Sequence, residues 1–151
     1  MRIVIQRAKE ARVEVSNKVV GSIKKGYLLL VGLGLKDNKE IVQKMADKVI
    51  ALRIFEDENQ KMNLSLKDVD GEILSISQFT LYADCSEGRR PSFVNALKAD
   101  QAKELYEYFN ECLRKSGVRV ETGIFQAEMQ VFLDNDGPVT IILDSQELKY
   151  E

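Results

Sequence analysis

A chain of 151 residues is one domain's worth, and at that size roughly 68–70% of the unfolded surface can be buried, so neither a disulfide nor a metal is needed for folding. Its 22 lysines and arginines against 24 aspartates and glutamates leave a net charge of -2, which excludes a general DNA-binding protein and requires any nucleic-acid partner to meet a local basic patch. There is no histidine, so Ser-His-Asp hydrolysis, Cys-His proteolysis and histidine-based zinc sites are excluded as well.

The elements follow in chain order. Residues 2–7, 12–15 and 18–23 are short, β-branched and partly alternating, with Ser16-Asn17 as a tight turn between the last two, and they predict three strands. Lys24-Lys25-Gly26 leads into Tyr27-Leu28-Leu29-Leu30-Val31, a continuous apolar run of the kind found in a central strand covered on both faces. Gly32-Leu33-Gly34 lacks the third glycine of a dinucleotide fingerprint and reads as a loop. Asp37 followed by Glu40 has capping-box spacing, and Ile41, Met45, Val49 and Leu52 recur at helical intervals, which predicts a first helix lying on the sheet.

Residues 53–55 read as a short strand and 56–63 as a polar loop, while Asp70-Gly71 punctuates before a strand-like apolar run over 72–81. A polar loop spans 84–91 and a turn of helix is expected over 92–97. Asp100 then caps a second long helix in which Leu105, Phe109, Cys112 and Leu113 share a face and Gly117 is the stop. Residues 118–125, 129–133 and 139–143 complete the strands. Without repeats or linkers, this order argues for one mixed α/β domain. Cys85 and Cys112 stand in no CxxC or ligand spacing and, with no signal peptide at the N-terminus, read as reduced thiols of a cytoplasmic protein. No apolar run approaches the roughly 18 residues of a membrane span, so no membrane partner is expected.

Two stretches set polar residues inside apolar patterns. As a regular strand, 75–82 puts Gln78, Thr80 and Tyr82 on one face and Ser77, Phe79 and Leu81 on the other. Its hydroxyls then either bond neighbouring backbone or, with Gln78, form a polar pair at a pocket. In LDNDGPVTIIL, Asp136-Gly137 signals a hairpin turn, yet Pro138 cannot donate a ladder hydrogen bond and is confined to strand starts, edges or bulges. Either the proline ends an edge or the Gly-Pro backbone is itself a tool. Lys24-Lys25 and Arg89-Arg90 read by default as solvated charges, with phosphate contact as the alternative.

Taken together, SQFTLYAD (77–84), GRRPSF (88–93), TGIF (122–125) and NDGPVT (135–140) resemble the signature segments of D-aminoacyl-tRNA deacylases, and the resemblance runs from MRIVIQRA to LDS. It implies a compact α/β fold, with mixed, mainly antiparallel and barrel-like sheets carrying two long helices, assembled as a homodimer. It implies an esterase that frees tRNA of a D-amino acid, or of glycine mischarged on tRNA-Ala, and rejects L substrates. By the same resemblance Ser77, Gln78, Phe79 and Thr80 line the site for the terminal adenosine and scissile ester. Gly137-Pro138, as a Gly-cis-Pro unit, reaches into the partner's pocket, where its carbonyls hold the α-amino group and leave no room for an L side chain. Phe125, Met129 and Asn135 complete the substrate-binding set, and Lys24, Lys25, Arg89 and Arg90 are tRNA contacts. The chain departs from the family pattern at Gln126 and Glu128, where glycine and aspartate are expected.

The chemistry open to such a site is narrow. Backbone amides around Phe79 and Thr80 are the available oxyanion donors. The Thr80 hydroxyl has no adjacent base, only a distant Asp84, and is a weak nucleophile as it stands. Of the two roles open to Thr80, nucleophile or orienting group, the second is preferred, in a substrate-assisted route where the neighbouring ribose hydroxyl helps position or activate water, with no metal or organic cofactor expected. The alternative is a non-catalytic module that binds the tRNA acceptor end.

Overall fold

Ser16 and Asn17 both take positive φ, 52° and 64°, the two-residue turn whose twist suits a hairpin. In the computed structural model, which describes residues 1–151, that turn joins β1 (Arg2–Val15) to β2 (Lys18–Ile23). The two strands expected before the turn are one. The interruption near Ala8 is a slip of register rather than a turn: against β8 (Gln130–Asp144), Gln6 faces Thr140, Ala8 faces Asn135 and Glu10 faces Asp134. β3 (Gly26–Gly32) is central as expected, antiparallel to β1 and parallel to β6 (Glu72–Ser77), and all its residues except Leu30 are buried. The sheet runs β2-β1-β3-β6-β7, with β7 (Val120–Thr122) last and β8 on β1. β4 (Phe55–Glu56) and β5 (Met62–Leu64) form a small separate hairpin where a polar loop was expected.

α1 (Lys39–Ala51) buries Ile41, Val42, Met45, Ala46 and Val49, each larger aliphatic contributing about 1.5–3 kcal/mol. Its cap is Asn38, whose side chain accepts the Ile41 N–H at 2.9 Å. Asp37 is not the cap, because its carboxylate is taken by the Met1 ammonium and the Gly34 N–H, each at 2.6 Å. α2 (Ala99–Lys115) likewise starts after Lys98 with no side-chain cap, and Asp100 lies within its first turn, where a negative charge favours the helix dipole. Both helices cover one face of the sheet and enclose the larger core. On the other face β2 curls over until Gly21 lies against the Thr122 carbonyl, enclosing a smaller core of Val13, Ile23, Leu28, Leu74 and Ile76 and making the sheet nearly a barrel. No helix is long and apolar enough to cross a membrane.

Three further expectations change. The helical turn over 92–97 is irregular, since its backbone bonds across instead: Ser92 exchanges both hydrogen bonds with Asp84, and the Leu97 N–H donates to the Leu33 carbonyl at 3.0 Å. The strand over 118–125 shortens to β7, followed by a turn in which Gln126 has φ 66°. The hairpin signal at Asp136-Gly137 marks no hairpin, because the two expected strands are the single β8, from which residues 136–139 stand out against Arg7 alone.

Candidate active site

β6 ends at Ser77, four residues short of the expected strand. The Gln78 N–H still donates to the Val31 carbonyl at 2.7 Å, but β3 finishes one residue later, and the chain turns into a short 3₁₀ helix over Phe79–Tyr82. The turn sits directly on Gly32. A Cβ there would lie 3.0 Å from both the Gln78 carbonyl oxygen and Leu81 Cβ. The alternation that put Gln78, Thr80 and Tyr82 on one strand face therefore does not hold. Gln78 and Thr80 meet all the same, because Gln78 Nε2 donates to Thr80 Oγ1 at 2.5 Å. At the head of the turn the Phe79 and Thr80 amides have no partner within it, so both are free donors.

A cavity of about 670 Å³ opens beside this turn. It brings together Ser77, Gln78, Phe79, Phe125 and Met129, while Thr80 stands behind Gln78 and does not line it. Phe79 and Phe93 meet edge to face at 5.1 Å, and both are substantially exposed, which leaves an aromatic platform at the mouth. Phe93, which closes the signature segment 88–93 but was given no role there, also lines the cavity, as do Lys98 and Ala102, for which the sequence carried no signal. Behind the cavity, the Tyr106 hydroxyl donates to the Ser75 carbonyl at 2.7 Å, its ring lies 6.0 Å from that of Phe125, and burial pushes its phenol pKa up. Gln126 lines the wall in a left-handed conformation that glycine adopts freely, which accounts for the glycine expected there.

Asp84, the one acid near Thr80 in sequence, is committed elsewhere. Hydrogen bonds from the Ser86 hydroxyl and amide hold its carboxyl below the usual carboxylate range, which weakens it as a base. No three carboxylate or thiol groups converge to hold a metal ion.

Gly137 and Pro138 lie apart from this cavity, exposed at the tip of the bulge, and their peptide bond is cis. Asn135 closes the neck, accepting the Val139 N–H at 2.7 Å and donating to Thr140 Oγ1 at 3.2 Å. Buried Arg7 supports the bulge from below, its Nε donating to the Asp136 carbonyl at 2.9 Å and its Nη1 to the Ile54 carbonyl at 2.7 Å. Val131 lines the cavity, and Asn135 at the neck of the bulge is four residues further along β8, about 13 Å in an extended strand. The four basic candidates divide in the same way. Arg89 and Arg90 sit in the loop closed by the Asp84–Ser92 pairing, next to Phe93 at the cavity mouth. Lys24 and Lys25 lie at the start of β3, opposite Val31, where Lys25 Nζ is 5.5 Å from the Phe55 ring.

Known proteins resemble this chain along nearly its whole length. Residues 4–144 match the family described as D-Tyr-tRNA(Tyr) deacylase. A D-aminoacyl-tRNA deacylase of Clostridium perfringens (strain SM101 / Type A) is 57% identical over 147 residues, which is 97% of this chain and 99% of that one. One from Thermotoga petrophila is 58% identical over 148 residues, 98% and 99% of the two chains. Among solved structures, the c-Myc DNA Unwinding Element Binding Protein is 40% identical with a TM-score of 0.90, over 95% of this chain and 98% of that one. A probable eukaryotic D-amino acid tRNA deacylase shares the fold at 20% identity, with a TM-score of 0.81 over 94% and 97% of the two chains. With the family match spanning residues 4–144 and relatives more than half identical along nearly the whole length, the chain belongs to the D-Tyr-tRNA(Tyr) deacylase family.

Proposed function

We propose that this deacylase works as a homodimer in the cytoplasm, clearing D-amino acids, and glycine mischarged on tRNA-Ala, from the 3′ end of tRNA while sparing L-aminoacyl-tRNA. By family the chain is a hydrolase of aminoacyl-tRNA esters. The observation that carries the finer reading is that the two signature features lie far apart in one chain. The cavity beside Gln78 is not lined by the chain's own Gly137-Pro138, and that unit stands exposed on the bulge. A second copy completes both. β8 suits that assembly, because it pairs with β1 along one edge only and exposes Phe132 and Ile142, the latter by 68%.

In this reading the terminal adenosine packs against the Phe79–Phe93 platform and the ester lies near the Phe79 and Thr80 amides, which stabilise the oxyanion. Thr80 Oγ1 already accepts a hydrogen bond from Gln78, so its lone pair is less nucleophilic and the hydroxyl orients water. The vicinal ribose hydroxyl takes part in moving the proton towards the leaving ribose oxygen. L substrates are refused by the partner's backbone around Gly137 and Pro138, a steric wall that needs no fitted pocket for the D side chain. The test is incubation with D-aminoacyl-, L-aminoacyl- and glycyl-tRNA. Free amino acid is expected from the D and glycyl substrates and not from the L substrate; binding of D-aminoacyl-tRNA without release would make the chain an acceptor-end binding module instead.

Arg89 and Arg90 serve as phosphate contacts at the mouth, whereas Lys24 and Lys25 reach the same tRNA only from the partner chain. Arg89→Ala is therefore expected to raise KM about three- to tenfold with kcat nearly unchanged, because phosphate contacts position without joining the chemistry. The dependence of binding on salt should be shallow, and a slope implying about ten neutralised phosphates would contradict a local patch on a chain of charge -2.

A further inference from the structure

Arg2, at the start of β1, reaches the 3₁₀ turn from the side away from the 670 Å³ cavity. Its Nη1 donates to the Leu81 carbonyl at 2.9 Å, its Nε donates to Asp144 Oδ2 at 2.9 Å, and its guanidinium lies over the Tyr82 ring, 4.6 Å from the centroid. Arg2 and Tyr82 line a second, polar cavity of about 950 Å³, and Arg2 does not line the first. Burial tends to raise the Asp144 carboxyl pKa, but hydrogen bonds from Arg2 and the Gln146 amide and the positive charge nearby outweigh it, holding the carboxyl below the usual range as a charged anchor.

The turn is held by few ties. None of its residues is fully buried, Leu81 and Tyr82 pack only partly, against Gly32 and Gly34, and 3₁₀ geometry makes poorer hydrogen bonds than an α-helix. Towards β3 it is tied by the Gln78 N–H to the Val31 carbonyl and by Leu81 resting on Gly32. Towards β1 and β8 its tie is Arg2, which grips the carbonyl of the third residue and the ring of the fourth.

We propose that Arg2 is a positioning residue for deacylation, a guanidinium brace that fixes the Leu81 carbonyl and thereby aims the Phe79 and Thr80 amides at the ester, a role that rests on the reading of this turn as the catalytic element. Arg2 touches no substrate, so its loss moves the donors and leaves the binding cavity in place. A small misalignment of donors lowers the rate of the chemical step more than it lowers affinity.

Steady-state kinetics on D-aminoacyl-tRNA with the full chain test this, using Arg2→Ala, Arg2→Lys and Gln78→Ala together with thermal melts of each. Arg2→Ala is expected to lower kcat about 10- to 100-fold with KM within about twofold. Arg2→Lys is expected to recover most of that loss, because an ammonium still donates to Leu81, although without the fork that also grips Asp144. If Arg2→Ala does not fold, Arg2→Met, which keeps the aliphatic stem over Tyr82 but has no donor, takes its place under the same kcat and KM criteria. A kcat within about twofold of wild type for Arg2→Ala, or for Arg2→Met where Arg2→Ala does not fold, overturns the brace, as does a loss that Lys does not relieve. If Gln78→Ala is impaired while Arg2→Ala is not, only the brace fails. If both retain full activity, the reading of the turn as catalytic fails with it.

Discussion

Gly137→Val is expected to lower kcat/KM on D-aminoacyl-tRNA by about 100-fold or more while the fold and helix content stay intact. Gly137 has φ 136°, a conformation that residues with a Cβ rarely adopt, and a Cβ built there would lie 2.8 Å from Val139 Cγ2 and 3.2 Å from Arg7 Nη2. Neither neighbour can give way freely. Val139 is tied through its N–H to Asn135, and Arg7 is buried and committed to the Asp136 and Ile54 carbonyls. The bulge must therefore shift as a unit. A displacement of about 1 Å at a positioned group costs on the order of 100-fold in rate, and the exclusion of L side chains weakens with it. Single-turnover assays on D and L substrates, with circular dichroism as the check on folding, measure the effect. Wild-type rates on the D substrate with selectivity retained would remove the bulge from the site.

Gln78→Ala is expected to lower kcat by about 100-fold and Thr80→Ala by less than about tenfold. The order is the reverse of what a threonine nucleophile requires. Gln78 is the hinge of the site: its N–H ends the ladder on Val31, its carbonyl accepts the Leu81 N–H at 3.3 Å, and its amide donates to Thr80 Oγ1. The side chain also lines the cavity, so truncation removes a polar contact next to the ester as well as the group that orients Thr80. Thr80 has no base beside it, since the Asp84 carboxyl is held low by Ser86 and the chain contains no histidine. Rapid-quench experiments on both variants separate the cases, and a covalent aminoacyl ester trapped on Thr80 would overturn the substrate-assisted route.

What could be read along the chain was what depends on neighbours in sequence. α1 and α2 announced themselves through apolar residues at helical spacing, β3 through an uninterrupted apolar run, and the hairpin after Val15 through Ser16-Asn17, because periodicity and turn chemistry act over a few residues. The missing histidine limited the chemistry, and the segments around Gln78 and Gly137 pointed to the family. The misreadings share a cause, which is competition from partners distant in sequence. Asp37 lost its capping role to the Met1 ammonium, and residues 92–97 lost their helical turn to bonds with Asp84 and Leu33. Residues 79–81 look like strand by composition, but β3 ends at Gly32 and leaves them no ladder to join, so they coil and bring Thr80 under the Gln78 amide. The Asp-Gly-Pro signal was a true sign of irregular backbone, yet whether it closes a hairpin or bulges from one continuous strand rests on β1 pairing with both sides of it, from Gln6 to Thr140 and from Ala8 to Asn135. That pairing spans some 130 residues of sequence, and no local pattern encodes a contact at that range.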